Sequence, residues 1–163
     1  MSVRISRAGG RVRVVVERDY RSAVGPLWRA LTDADRTREW FPAEVAIDAR
    51  PGAELEFTLP PEALRRYGLP ESAARSTGRV TAADPPRLLA YTWGEEQLTW
   101  SLTRAGTRWT RLRLEHETDE GAPGAGSPAG WLATLEALAA ALAGRPWTRA
   151  EIFARADQLK QPR

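Results

Sequence analysis

The sequence predicts an α+β domain in which a curved antiparallel sheet of about six or seven strands wraps around one long C-terminal helix. Three observations lead there. Residues 130–142, GWLATLEALAAAL, set Trp131, Leu135, Leu138 and Leu142 at helical spacing on one face, an apolar stripe about 100° wide. Most of the remaining chain breaks into short stretches of period 2, bounded by turn signals rich in Gly, Pro and Asp. Finally, the helix needs a surface on which to bury its stripe, and a large aromatic at its start suits a sheet that curls around it and encloses a pocket.

In chain order, residues 11–20 come first, with Val12, Val14 and Val16 on one face and Arg11, Arg13 and Glu17 mostly on the other, as in a half-buried strand. Val24, Leu27, Trp28 and Leu31 then fall at helical spacing with Pro26 near the start, and a second short helix is expected over 34–40 before Pro42. Val45 and Ile47, then Leu55, Phe57 and Leu59, predict a hairpin whose turn is Asp48-Ala49-Arg50-Pro51-Gly52 and whose Glu44, Glu54 and Glu56 face water. Residues 60–77 are too long for a turn. Residues 61–68 within them have the makings of one or two helical turns closed by Gly68, and the 60–77 segment is either a lid or merely an insertion. Four more strands are expected at 78–82, 88–93, 97–103 and 108–117. The closing helix is expected over 127–143, with Ser127 as N-cap, Pro128 in the first helical position and Gly144 as the stop. Residues 119–130 read as a Gly/Pro-rich loop. Beyond it, Thr148 and Glu151 form a capping box, and Ile152, Ala156 and Leu159, widened by Phe153, stripe a short tail helix. The division expected is a domain over 1–143 and a helical tail over 144–163.

Composition narrows the function classes. A chain of 163 residues, 42% hydrophobic, fits one domain with a real core. It contains no Cys, which excludes a disulfide framework, thiol catalysis and thiolate metal sites. The isoelectric point of about 9.9 points toward nucleic acid, yet the net charge is only +3, from 24 basic and 21 acidic groups. With a single His and no Cys little titrates between pH 7 and 10, so a small excess of Arg suffices, and nucleic-acid binding is not expected. The first twenty residues lack the apolar run of a signal peptide, and no stretch approaches a membrane span. A soluble cytoplasmic protein without membrane insertion is the expectation.

Four segments carry a resemblance. Leu27-Trp28-Arg29-Ala30-Leu31-Thr32-Asp33 with Glu39-Trp40-Phe41 supplies the first helical pair. Gly78-Arg79-Val80, Pro86-Arg87-Leu88 and Tyr91-Thr92-Trp93 supply the middle hairpin. Leu98-Thr99-Trp100-Ser101-Leu102, Gly106-Thr107 and Leu112-Arg113-Leu114-Glu115-His116 supply the last two strands, and Gly130-Trp131 with Leu135 and Leu138 the closing helix. Over roughly residues 11–143 the chain resembles the START-like or Bet v 1-like (SRPBCC) superfamily, and within it the proteins similar to the activator of Hsp90 ATPase. The resemblance implies a helix-grip fold, a seven-stranded antiparallel sheet around the C-terminal helix with an apolar cavity between them. It says far less about function, because this fold hosts lipid carriers, hormone receptors, cyclases and chaperone cofactors.

Read inward by alternation, Phe57, Tyr91, Trp93, Trp100, Leu112, Leu114, His116, Trp131 and Leu135 converge on the concave side of the sheet and are the expected ligand-binding residues. His116 is the sole histidine. It has no evident nucleophile or orienting carboxylate beside it, since Glu115 and Glu117 face the other way and Glu95 and Glu96 read as solvated turn charges. No catalytic residue, metal site or cofactor is therefore expected. The expected function is non-enzymatic binding of a small apolar or amphipathic molecule in a central cavity, by a monomer or weak homodimer. Two alternatives stand beside it: an Hsp90-activator-like interaction module, and a cyclase- or hydrolase-like enzyme using His116, Tyr91 and Thr110 in the same cavity.

Overall fold

The computed structural model describes residues 1–122 and 125–160. Pro123-Gly124 of the 119–130 loop and 161–163 of the tail lie outside the described residues. Seven antiparallel strands, β1 (Ser2–Ala8), β2 (Arg11–Tyr20), β3 (Glu54–Thr58), β4 (Arg75–Asp84), β5 (Leu88–Trp93), β6 (Glu96–Arg104) and β7 (Thr110–Asp119), form one sheet. Their order across the sheet is β1-β2-β7-β6-β5-β4-β3. Helices α1 (Val24–Thr32) and α2 (Ala34–Trp40) carry the chain from β2 to the far edge, α3 (Pro61–Tyr67) lies between β3 and β4, and α4 (Ala129–Leu142) and α5 (Arg149–Lys160) close the chain. The helix-grip architecture is present, and no helix among the described residues is long and apolar enough to cross a membrane.

The expected total of seven strands is reached by two differences that cancel. Residues 45–47 do not form a strand, although Val45 and Ile47 are buried. Their backbone groups are taken by the first two helices: the Val45 N–H donates to the Thr37 hydroxyl (3.2 Å), which itself donates to the Val45 carbonyl (2.8 Å), and the Ile47 N–H donates to the Thr32 carbonyl (2.8 Å). Only Glu44 bridges to Thr58. The strand not foreseen is β1, an edge strand exposed along its whole length. It is joined to β2 by Gly9-Gly10, both with positive φ (59° and 77°) and with Ala8 opposite Arg11, the two-residue turn whose twist suits a hairpin.

Alternation fixes the inner face. Val12, Val14, Val16, Leu55, Phe57, Leu89, Tyr91, Leu98, Trp100, Leu102, Leu112 and Leu114 are buried, and α4 lays Ala133, Leu135, Ala137 and Leu138 against them with Trp131 and Leu142 partly buried at its two ends. Helix α2 is tied to α1 by the Trp40 indole donating to the Ala30 carbonyl (2.9 Å). Ser127 is not the N-cap of α4. That position falls to Pro128 and no side chain caps the helix, because the chain enters α4 one residue later than the Ser-Pro signal implies.

The tail helix α5 forms with its capping box in place: the Glu151 N–H donates to the Thr148 hydroxyl (3.2 Å), which donates to the Glu151 carboxylate (3.1 Å). Ile152 and Ala156 are buried, and α5 packs on α4. Arg155 grips Glu136 of α4 with two hydrogen bonds (2.7 and 3.1 Å), and Arg66 of α3 grips Asp157 (2.6 and 3.2 Å). An isolated helix of this length is marginal in water, so the apolar contact and the Arg155 pair hold it. Deleting residues 145–163 is expected to destabilise the fold by about 2 kcal/mol, chiefly by baring what Ile152 covers. A truncated chain with an unchanged melting temperature would show that the tail contributes nothing to the body.

Candidate binding site

At the end of the sheet where α4 begins, the layers part and leave a cleft of about 310 Å³, at the lower end of the range for small-molecule sites, roughly 300 to 1,000 Å³. One wall is the sheet and α4: Val14 of β2, His116 and Thr118 of β7, Glu96 of β6, and Gly130, Trp131 and Thr134 of α4. The other is α5 with Arg149, Ile152, Phe153, Ala156 and Lys160, joined by Arg66 and Tyr67 of α3. Pro42 and residues 125–127 complete the lining. The 60–77 segment does reach the mouth, through α3.

A chain of hydrogen bonds organises one side of this cleft. The Trp131 indole N–H donates to His116 Nδ1 (3.0 Å), and His116 Nε2 lies 3.1 Å from a Glu96 carboxylate oxygen. An indole N–H only donates. Nδ1 must therefore be the acceptor, so the proton sits on Nε2 and points at Glu96: the partners at both ends select one neutral tautomer. With both ring nitrogens engaged, His116 has none free to take a proton from a ligand without breaking a bond, and its role here is to hold the indole and the carboxylate in place. His116→Ala, which strips a partner from the half-buried indole, is expected to lower stability by about 1–3 kcal/mol, read as a shift of the denaturation midpoint. No shift would mean that the three side chains are merely neighbours.

Glu96 corrects the expectation of a solvated turn charge. It begins β6 on the same face as Leu98 and Trp100, so the pleat turns it inward beside His116. Of the nine expected ligand-binding residues, only His116 and Trp131 line the cleft. Phe57, Tyr91, Trp100, Leu112, Leu114 and Leu135 are buried in one core cluster with Trp40, Phe41 and the inner face of α4. Trp100 meets Trp40 (5.7 Å between centroids), Phe41 (6.3 Å) and Trp131 (5.9 Å), and its indole donates to the Tyr91 hydroxyl (3.1 Å). That burial also pushes the Tyr91 phenol well above its ordinary range, which leaves it unsuited to proton transfer. Trp93 stacks on Phe57 at 4.8 Å and donates to Ser76 (2.8 Å). The Thr110 hydroxyl donates to the Ser22 carbonyl (2.7 Å), away from the cleft. Alternation identified the inward face correctly, but the middle of that face is taken up by aromatic packing and the open space lies at its end.

The cleft's cations went unread in the sequence. Arg66 is neutralised by Asp157 and lies over the Phe153 ring, 4.6 Å from its centroid. Arg149 is half-buried in the first turn of α5, where it donates to the carbonyls of Phe41 (2.9 Å) and Arg38 (3.2 Å). Among the described residues no carboxylate lies within ion-pair distance of it, and no three His, Asp or Glu side chains cluster as metal ligands would.

A family model described as activator of Hsp90 ATPase homolog 1-like protein matches residues 22–143. No curated protein matches the chain. Among solved structures, a Bordetella parapertussis protein determined by NMR is 26% identical, with a TM-score of 0.65, over 96% of this chain and 88% of its own. CalU16 from Micromonospora echinospora is 24% identical with a TM-score of 0.62, over 96% and 89%. A conserved protein of unknown function from Enterococcus faecalis is 15% identical with a TM-score of 0.66, over 96% and 87%. The last two likenesses speak for the fold alone.

Proposed function

The chain belongs to the activator of Hsp90 ATPase homolog 1-like family, and we propose on that premise that it is a non-enzymatic binding protein for a small amphipathic molecule, held in the cleft between α4, α5, α3 and the end of the sheet. The observation that carries this reading is the half-buried Trp131 indole, fixed by His116 and facing a cleft whose opposite wall is Ile152, Phe153 and Ala156. A flat apolar ring locked in position on one side and aliphatic and aromatic groups on the other suit the body of a small apolar molecule. The polar groups at the rim suit a polar end. Binding without chemistry is favoured over an enzyme because His116, the residue most apt for acid or base work at neutral pH, has both nitrogens committed within the protein.

Gly130 provides the test. It is exposed in the first turn of α4, it lines the cleft, and a Cβ placed on it meets nothing within 4 Å. Gly130→Trp should therefore fold as the parent does and fill the cleft with an indole. The neutral fluorescent probe N-phenyl-1-naphthylamine is expected to bind the parent and to lose that binding in the variant. Equal binding by the two proteins would place the ligand elsewhere, and absence of binding by the parent would remove the reading.

A further inference from the structure

The cleft's charges name the class of its ligand. Three cations, Arg66, Arg149 and Lys160, face it against one carboxylate, Glu96, and Glu96 and Arg66 are already engaged with His116 and Asp157. Arg149 is different. A guanidinium has five N–H donors in a planar fork, and the carbonyls of Phe41 and Arg38 each receive one bond from Arg149, one from each terminal nitrogen. Those two bonds pin the fork's plane and leave its other donors uncommitted. Carbonyl dipoles do not neutralise a charge, and burial pushes this guanidinium down from its ordinary range, with the Glu62 carboxylate among the groups opposing the shift. A desolvated cation with no anion in contact is costly unless a partner arrives.

We propose that the ligand is an anionic amphiphile, an apolar body ending in a carboxylate, with its body against Trp131, Ile152 and Phe153 and its head on the Arg149 fork. This rests on the binding function proposed for the same cleft and goes further in assigning the head group's charge and its receptor. Arg149 orients the ligand head-first toward the start of α5, and Lys160 at the other end of that helix adds attraction without a fixed geometry.

Calorimetric titration of the full chain with octanoate and with 1-octanol, which share a tail and differ in the head, tests it. Octanoate should bind about tenfold or more tightly than 1-octanol at low salt, as expected of a charge-assisted pair. Arg149→Met should erase the preference, bringing octanoate affinity down to that of 1-octanol in the same variant. Because Arg149 also fastens α5 to the last turn of α2 and to Phe41 just after it, that variant could fail to fold. Lys160→Gln, at an exposed position, then decides together with added salt: both should reduce the preference for octanoate. Equal binding of the two probes by the parent, or a preference untouched by Arg149→Met or by Lys160→Gln and salt together, overturns the anionic assignment while leaving the binding function standing. Failure of both probes to bind overturns both.

Discussion

Trp100→Ala is expected to destabilise the protein by about 3–5 kcal/mol, the usual range for truncating a buried large aromatic. Trp100 is 1% exposed in the middle of β6, and it joins three layers: it meets Trp40 edge-on at 86°, Trp131 edge-on at 81°, and Phe41. Truncation would leave a void bounded by three aromatic rings that are themselves held from other sides, Trp40 by the Ala30 carbonyl and Trp131 by His116, so the site has little freedom to collapse. The Tyr91 hydroxyl would lose its indole donor as well. Trp100→Phe keeps most of the ring and should lose only about 1–3 kcal/mol. Denaturant titrations with unchanged slopes would measure both. A loss below about 1 kcal/mol for the alanine variant would mean that this region is loosely packed.

Gly78→Ala should be nearly as damaging, about 3 kcal/mol, at the upper end for overpacking. Gly78 lies in β4 opposite Leu55 of β3, just before the register shift between Val80 and Ala82. A Cβ there would run into the backbone carbonyl of Thr92 in β5 and press the Phe57 ring at 3.0 Å. A side chain could rotate away, but a carbonyl moves only with its strand. The adjacent Arg79 N–H donates to the Thr92 hydroxyl (3.0 Å), so a shift of β5 would also break the local fastening. Glycine inside a strand marks such a close approach. Hydrogen exchange should show protection falling first in β3, β4 and β5, and a Gly78→Ala protein as stable as the parent would rule the clash out.

Much of the fold was legible because period and punctuation are local. Residues 11–20 and 88–93, the helical pair of α1 and α2, and the capping box at Thr148 all stand where the pattern put them. The segment 45–47 has the alternation of a strand, and what defeats it is not local: the Thr37 hydroxyl and the Thr32 carbonyl occupy the backbone groups a neighbouring strand would need. Strand β1 was readable from Gly9-Gly10, but only Val3 and Ile5 mark its apolar face, and Arg7 breaks the alternation after them. The site was harder. Alternation reports which face a residue takes, not what covers that face, so Trp100 and Leu114, inward in mid-strand, are packed tight, whereas His116, two residues farther along β7, meets open space. Glu96 shares its parity with Leu98 and Trp100, a signal available in the sequence and obscured by the adjacent turn. Arg149 could not be found this way. Its place depends on how the tail helix docks, and nothing within the tail's own residues reports that.

The seven Trp indole N–H groups each give a resolvable signal in a proton–nitrogen correlation spectrum, and following them as N-phenyl-1-naphthylamine is added locates its site directly. If the molecule enters the cleft, the Trp131 signal moves and saturates, because its indole lines the cleft and donates to His116, while those of Trp40 and Trp100, buried at 1% exposure, stay near their starting positions. Large shifts of Trp40 and Trp100 with Trp131 unmoved would contradict this account and put the ligand between the sheet and α4.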